Sequence, residues 1–187
     1  MSRIEFTVAE TVMGALGVAW SDAGIVGSWM HGGTVARTRE QIRRAYRDAC
    51  EVSPRPRLAA AVADAVALLS GGAPDLLAAQ LDMSNIPEFD RRVYEVARTI
   101  RPGSTMTYGE VARALGEEPM RARDVGIALA RNRFAPFVPC HRVVAANGKL
   151  GGYSAPGGTA TKRRLLELEG ALTPDAPPIQ TALFDQI

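Results

Sequence analysis

The chain opens with short apolar stretches and changes to helical periodicity. Ile4-Glu5-Phe6-Thr7-Val8 alternates apolar and polar side chains, the period of a half-buried strand. Two further strand-like runs follow, Gly14 to Trp20 and Gly24 to Met30, separated by the turn residues Ser21-Asp22-Ala23-Gly24. Together they predict a three-stranded antiparallel sheet. Residues 37–49 are charged and helical in pattern, and Arg57 to Leu69 is an alanine-rich helix stopped by Ser70-Gly71-Gly72-Ala73-Pro74. That stop and the stretch to Asn85 read as the passage between two units.

Beyond Asn85 the pattern is helical. Pro87 suits a first helical turn, and Phe89, Val93, Val96, Ala97 and Ile100 mark one apolar face. Pro102-Gly103 ends that helix. Thr107 and Glu110 have capping-box spacing at the start of the next, with Val111, Ala112 and Leu115 inward and Gly116 as its stop. A third helix begins near Pro119, with Ala122, Val125, Gly126 and Leu129 on its inner face and Arg121, Asp124 and Arg131 mostly outside. Two short helices joined by a glycine-containing turn form either a helix-turn-helix or an ordinary helical hairpin. Residues 159–169 predict a last helix. The predicted architecture is α+β: a small N-terminal domain over 1–83, a mainly helical domain over 84–172, and a proline-rich mobile tail over 173–187.

Composition narrows the function classes. The 187 residues are 47% hydrophobic, enough for a real core. Net charge is only +2, so any nucleic-acid contact must come from a local patch. The two cysteines, Cys50 and Cys140, lie far apart and form no disulfide framework, which fits a reducing compartment. The N-terminus lacks a signal core, and no apolar run approaches a membrane span, so the expected location is cytoplasmic, away from membranes. Cys50 and His31 do not make a zinc ligand set, so no metal is expected.

The candidate chemistry lies in Val138-Pro139-Cys140-His141-Arg142-Val143-Val144. A thiol reacts as its thiolate, and an adjacent base or positive field makes that form accessible. Adjacent residues in an extended chain point opposite ways, so Cys140 and His141 need a turn to cooperate, and Pro139 favours one. The alternative is an inert buried cysteine beside a surface histidine. Thr107-Tyr108-Gly109-Glu110-Val111-Ala112, Arg123-Asp124-Val125-Gly126-Ile127-Ala128, Asn132 and the Pro139-to-Val144 segment occur in order. They are followed by Gly152-Tyr153-Ser154, Gly157-Gly158 and Lys162 to Gly170. In this order and spacing the chain resembles the O6-alkylguanine-DNA alkyltransferases, also called methylated-DNA–protein-cysteine methyltransferases. The resemblance is dense over about residues 85–170.

The resemblance implies a monomeric DNA-repair protein that transfers an alkyl group from guanine O6 to Cys140, once per molecule and without a cofactor. It implies His141 as the base, acting through a water, with Glu169 orienting it and Asn132 bracing the preceding turn. Tyr108 is implied as the proton donor to the leaving base. It further implies Arg123 as the finger that fills the stack from the minor groove of double-stranded DNA when the nucleotide flips out. Arg121, Arg131 and Arg133 are candidate phosphate contacts, and Val143, Tyr153, Ser154, Gly157 and Gly158 are candidate walls of the guanine pocket. Periodicity alone leaves Glu169 and Arg123 as surface charges and Tyr108 as an inward-packing aromatic, and Arg142 either supports the site by ion pairing or lies on the surface. Two departures stand out: Ala155-Pro156 separate Ser154 from the glycine pair, and Arg133 stands where proline is usual. The rivals are a non-catalytic lesion sensor, a thiol hydrolase and a helix-turn-helix regulator.

In the tail, Gln180-Thr181-Ala182-Leu183-Phe184 resembles the bacterial sliding-clamp-binding pentapeptide, with Gln180, Leu183 and Phe184 as anchors. Deleting the tail is expected to abolish clamp affinity in a pull-down or titration; unchanged affinity would contradict it.

Overall fold

The computed structural model describes residues 3–30, 33–146 and 148–173. His31 and the tail anchors Gln180, Leu183 and Phe184 lie outside them. Strands β1 (Glu5–Thr11), β2 (Gly14–Ser21) and β3 (Gly24–Trp29) form an antiparallel meander. A short fourth strand, β4 (Cys50–Glu51), joins β1 in parallel, so the sheet order is β3-β2-β1-β4. The alternation criterion passed over β4 because two residues are too few to show a period.

Helix α1 (Val35–Ala45) covers one face of the sheet, above a small cluster of Phe6, Ala19 and Ile42. Gly17 makes this approach close: a Cβ there would stand 2.7 Å from both Ile42 Cδ1 and Thr38 Cγ2. The opposite face carries Leu16, Val18 and Trp20 into a core shared with α2 (Pro56–Leu68). The same core continues through Val93, Tyr94 and Ala97 of α3 (Glu88–Thr99), Val111 and Val125 into Cys140 and Val143. β2 is therefore buried along its length, as a strand covered on both faces must be.

The C-terminal half is helical. β5 (Met106–Thr107) leads into α4 (Tyr108–Ala114), whose first turn carries the complete capping box. Thr107 Oγ1 accepts from the Glu110 N–H at 3.2 Å, and Glu110 Oε2 accepts from the Thr107 N–H at 2.6 Å. A 3₁₀ turn over Pro119–Arg121 opens α5 (Ala122–Ala130), which packs on α4 and α3. Val125 and Leu129 are buried as predicted, joined by Ala128, while Ala122 and Gly126 border a cavity instead. β6 (Val143–Val144) pairs with β5 in parallel, and α6 (Gly158–Leu168) closes the fold.

Two connections hold the halves in register. Ser28 of β3 donates from its backbone N–H to the Arg133 carbonyl at 2.8 Å and from its hydroxyl to the Ala135 carbonyl at 2.6 Å. Arg98 of α3 donates one guanidinium nitrogen to the carbonyls of Leu76, Leu77 and Ala79 in the passage between the halves. Among the described residues no helix is long and apolar enough to cross a membrane.

Candidate active site

Cys140, His141 and Arg142 form a single 3₁₀ turn, entered through Pro139 and followed directly by β6. This is the turn that adjacent Cys140 and His141 require. All three residues are buried, Cys140 at 8% exposure and His141 at 0%.

Burial of a histidine and an arginine demands partners, and Glu169 at the end of α6 supplies both. Its Oε1 lies 2.8 Å from His141 Nε2, and the Arg142 guanidinium donates to Oε2 and Oε1 at 2.9 Å each. The remaining Arg142 terminal nitrogen donates to the Ile100 carbonyl. Glu169's side chain is only 1% exposed, yet hydrogen bonds from His141 and Arg142 hold its pKa down to about 2, against the pull of burial. Burial lowers the His141 pKa, so the ring is neutral at neutral pH, with Glu169 opposing only in part. An ionised Glu169 against a neutral ring requires the proton on Nε2. His141 Nδ1 is then a lone-pair acceptor, and it is buried without a hydrogen-bond partner among the described residues.

The thiol is pushed the other way. Burial raises the Cys140 pKa, and the Asn132 amide, the Lys162 charge and the backbone N–H groups of Cys140 and His141 offset this. The resting pair is therefore a thiol beside a neutral imidazole, with donors already aimed at the thiolate. Asn132 also donates to the Val138 carbonyl at 2.8 Å and accepts from the Phe134 N–H at 2.9 Å, closing the turn that leads into the cysteine.

A cavity of about 630 Å3 opens above Cys140. Tyr108, Tyr153, Ser154, Gly126, Ile127 and Arg123 are among the residues that line it. Burial raises the Tyr108 pKa to about 12, so its hydroxyl stays protonated, 3.4 Å from the Gly152 carbonyl. Tyr153 bonds the Cys140 side chain, and its pKa too is raised well above 10. Val143, Gly157 and Gly158 stand off this wall. Val143 is in the core, and Gly157, at φ 86°, begins the turn into α6. Gly151, at φ 72°, packs close to a wall residue, since a Cβ there would meet Tyr108 Cε2 at 2.9 Å; Gly157 packs instead against Thr161, where a Cβ would overlap Oγ1.

The arginines differ in availability. Arg123 is exposed at the mouth of the cavity and makes no ion pair among the described residues. Arg121 is held by Asp124 and Glu117 and stacks 5.1 Å from the Phe89 ring centroid. Arg131 pairs with the buried Asp90 at 3.4 Å, and Arg133 lies over Phe134 at 5.5 Å.

Sequence reasoning did not single out Lys162. It is fully buried, donates to the Val143 carbonyl at 2.6 Å and the Gly152 carbonyl at 3.3 Å, and lies 5.6 Å from the Tyr108 ring centroid. It ties β6 to the loop opposite, and burial lowers its pKa to about 8. Helical period was the available signal: Lys162 lies three and four residues before Leu165 and Leu166 on the inward face of α6. Among the described residues no three His, Cys, Asp or Glu side chains cluster as a metal site.

Residues 88–171 match the 6-O-methylguanine DNA methyltransferase DNA-binding domain. The chain is 36% identical over 156 residues to a methylated-DNA–protein-cysteine methyltransferase of Methanothermobacter thermautotrophicus, covering 83% of this chain and 79% of that protein. It is 34% identical to a protein of the same description from Mycolicibacterium paratuberculosis, over 97% and 99% of the two chains. The crystal structure of Mycobacterium tuberculosis OGT in complex with DNA superposes with a TM-score of 0.70 at 31% identity, covering 89% of this chain and 93% of that one.

Glu169→Gln removes the buried negative charge and leaves Arg142 uncompensated. The expected loss is about 3–5 kcal/mol, measured by urea unfolding at neutral pH. Because Glu169's folded pKa lies below its unfolded value, its contribution is present above pH 4.5 and lost as pH falls towards about 2. The variant should lack that component of acid destabilisation.

Proposed function

Because the chain belongs to the methylated-DNA–protein-cysteine methyltransferase family, a family of DNA-repair proteins that take an alkyl group from DNA onto their own cysteine, we propose that Cys140 is the acceptor and O6-alkylguanine in duplex DNA the donor. The observation that carries this reading is the chain of contacts from Glu169 through His141 to the segment holding Cys140, beneath a cavity large enough for a purine. Cys50 has no such setting: it is part-exposed beside Arg3.

In this reading the base lies between Tyr108 and Tyr153. His141 Nδ1 accepts the thiol proton through a bridging water, as the resemblance implies, and Glu169 stabilises the imidazolium that forms. Sulfur attacks the O6-bound carbon in line. The S–C bond forms as the O6–C bond breaks, and the electron pair leaves with guanine. Tyr108 donates a proton to the leaving base, and the proton taken from sulfur restores the balance. The product thioether does not hydrolyse, so each molecule reacts once.

Reaching O6 requires the nucleotide to leave the stack, at a cost of a few kcal/mol. Arg123, long, planar and without an ion-pair partner among the described residues, fills the gap from the minor groove. Phosphate contacts come from exposed basic side chains, with Arg133 better placed than Arg121, whose charge is already neutralised. Residues 84–172 carry the DNA and acceptor surface and residues 1–83 support it.

Two measurements test the reading. Peptide mass spectrometry after incubation with duplex O6-methylguanine should find one methyl on Cys140, saturating at one per protein; Cys140→Ala should bind the DNA and gain none. A bound, folded protein with no added mass would favour a lesion sensor, and many turnovers would favour a hydrolase. Arg123→Ala should slow transfer from duplex DNA by about tenfold or more while leaving transfer from the free base O6-benzylguanine nearly unchanged; equal loss on both would remove the flipping role.

A further inference from the structure

Another cavity, of about 430 Å3, opens in the N-terminal half between the start of β1, the β2–β3 turn and the first turns of α2. It stands apart from Cys140. Ser28, near one end of β3, bonds the turn that leads to the cysteine, whereas Gly24, at the other end, borders this cavity, and β3 spans roughly 17 Å. Trp20, Leu58 and Ala61 give the space an apolar lining, and Arg3, Arg55 and Arg57 border it as well. These three arginines are exposed and make no ion pair among the described residues; Arg3 donates instead to the Cys50 sulfur at 3.1 Å. Glu5 and Asp22 also border the space, but Glu5 is engaged, accepting from the Trp20 indole N–H at 3.1 Å. Three cations against two carboxylates leave the lining net positive.

The walls are fixed without any ligand. Glu5 holds the Trp20 ring, the Ile25 N–H donates to the Gln80 carbonyl at 2.9 Å, and the Gln80 side-chain amide donates to the Ala23 carbonyl at 3.0 Å. Two of the arginines, moreover, stand where helix chemistry opposes them. Arg55 is the N-cap of α2 and Arg57 lies in its first turn, yet a helix start favours a capping oxygen and negative charge. α2 has neither a side-chain cap nor an acidic residue in that turn. An anion placed among these cations removes the conflict. A phosphate monoester offers three oxygens, enough for several guanidinium forks at once. The volume lies within the range of about 300–1,000 Å3 typical of small-molecule sites and leaves room for a body behind the phosphate. We propose that this cavity binds a small organic phosphate of mononucleotide size, its phosphate on Arg3, Arg55 and Arg57 and its body against Trp20 and Leu58. The site is independent of whether Cys140 accepts an alkyl group.

The chain has two tryptophans, Trp20 and Trp29, so in Trp29→Phe the remaining indole emission reports this cavity alone. The probe is thymidine 5′-monophosphate, whose pyrimidine does not imitate guanine at Cys140. Titrated into the full chain, it should change Trp20 emission saturably, with a Kd below about 1 mM. Calorimetry on the parent protein should give the same one-site affinity, so the result does not hang on the folding of Trp29→Phe. The double variant Arg55→Ala, Arg57→Ala should raise the Kd by about tenfold or more, and Arg3→Ala, on a different element, by about threefold or more. Thymidine without its phosphate, and inorganic phosphate alone, should each bind at least about tenfold more weakly than the nucleotide. No saturable binding up to about 10 mM would overturn the site, as would an affinity unchanged in the arginine variants or thymidine binding as tightly as its phosphate. Inorganic phosphate binding as tightly as the nucleotide would overturn the contact with Trp20 and Leu58, and with it the organic phosphate as ligand.

Discussion

One buried carboxylate organises the active half of this protein. Glu169 receives His141 and a two-pronged Arg142, and all three side chains are withdrawn from water. Without Glu169 the arginine would be an uncompensated charge in the core, and the histidine would lose what fixes its ring. Because Arg142 also reaches the Ile100 carbonyl at the end of α3, the same carboxylate ties α6, the 3₁₀ turn and α3 together. The orientation of His141 is thus a by-product of satisfying a buried charge. In the proposed mechanism, stability and reactivity depend on the same three side chains.

Around that centre, lysine and asparagine prepare a thiolate without forming it. Burial keeps Cys140 protonated at rest, and the positive Lys162, the Asn132 amide and two backbone N–H groups wait on the charged form. A permanently ionised cysteine would be open to oxidation and to stray electrophiles. In the proposed mechanism the thiol ionises only when His141 takes its proton, which would protect an acceptor that reacts once. The N-terminal half contributes through Ser28, whose two hydrogen bonds pin the 133–135 turn, and through the shared core that runs from β2 to Cys140.

Much of this was legible in the residues. The Thr107–Glu110 capping box and the three-strand meander follow from local chemistry and periodicity and are found, while Pro87, expected in the first helical turn, stands just before it as the N-cap of α3. The two-residue strands β4 and β6 were not readable, since pairing that short depends on tertiary neighbours. In the site, the motif resemblance named Cys140, His141, Glu169 and Asn132, and the structure brings them together. Spacing could not say that Arg142 and Lys162 are buried, because charged residues are normally taken to face solvent. Nor could it say that Arg121 is occupied by Asp124 and Glu117, or that Gly151 packs close against Tyr108. Those facts depend on contacts between distant segments.

Glu169 holds His141 as a neutral ring with its Nδ1 lone pair free of hydrogen bonds among the described residues. Long-range proton–nitrogen NMR of the 15N-labelled His141 ring reads this directly. With its pKa lowered by burial, the ring should carry a proton on Nε2 alone at and above neutral pH, with Nδ1 resonating as an unprotonated nitrogen. A doubly protonated ring at neutral pH, or a proton on Nδ1 alone, would leave no acceptor for the thiol proton; either result would contradict the mechanism.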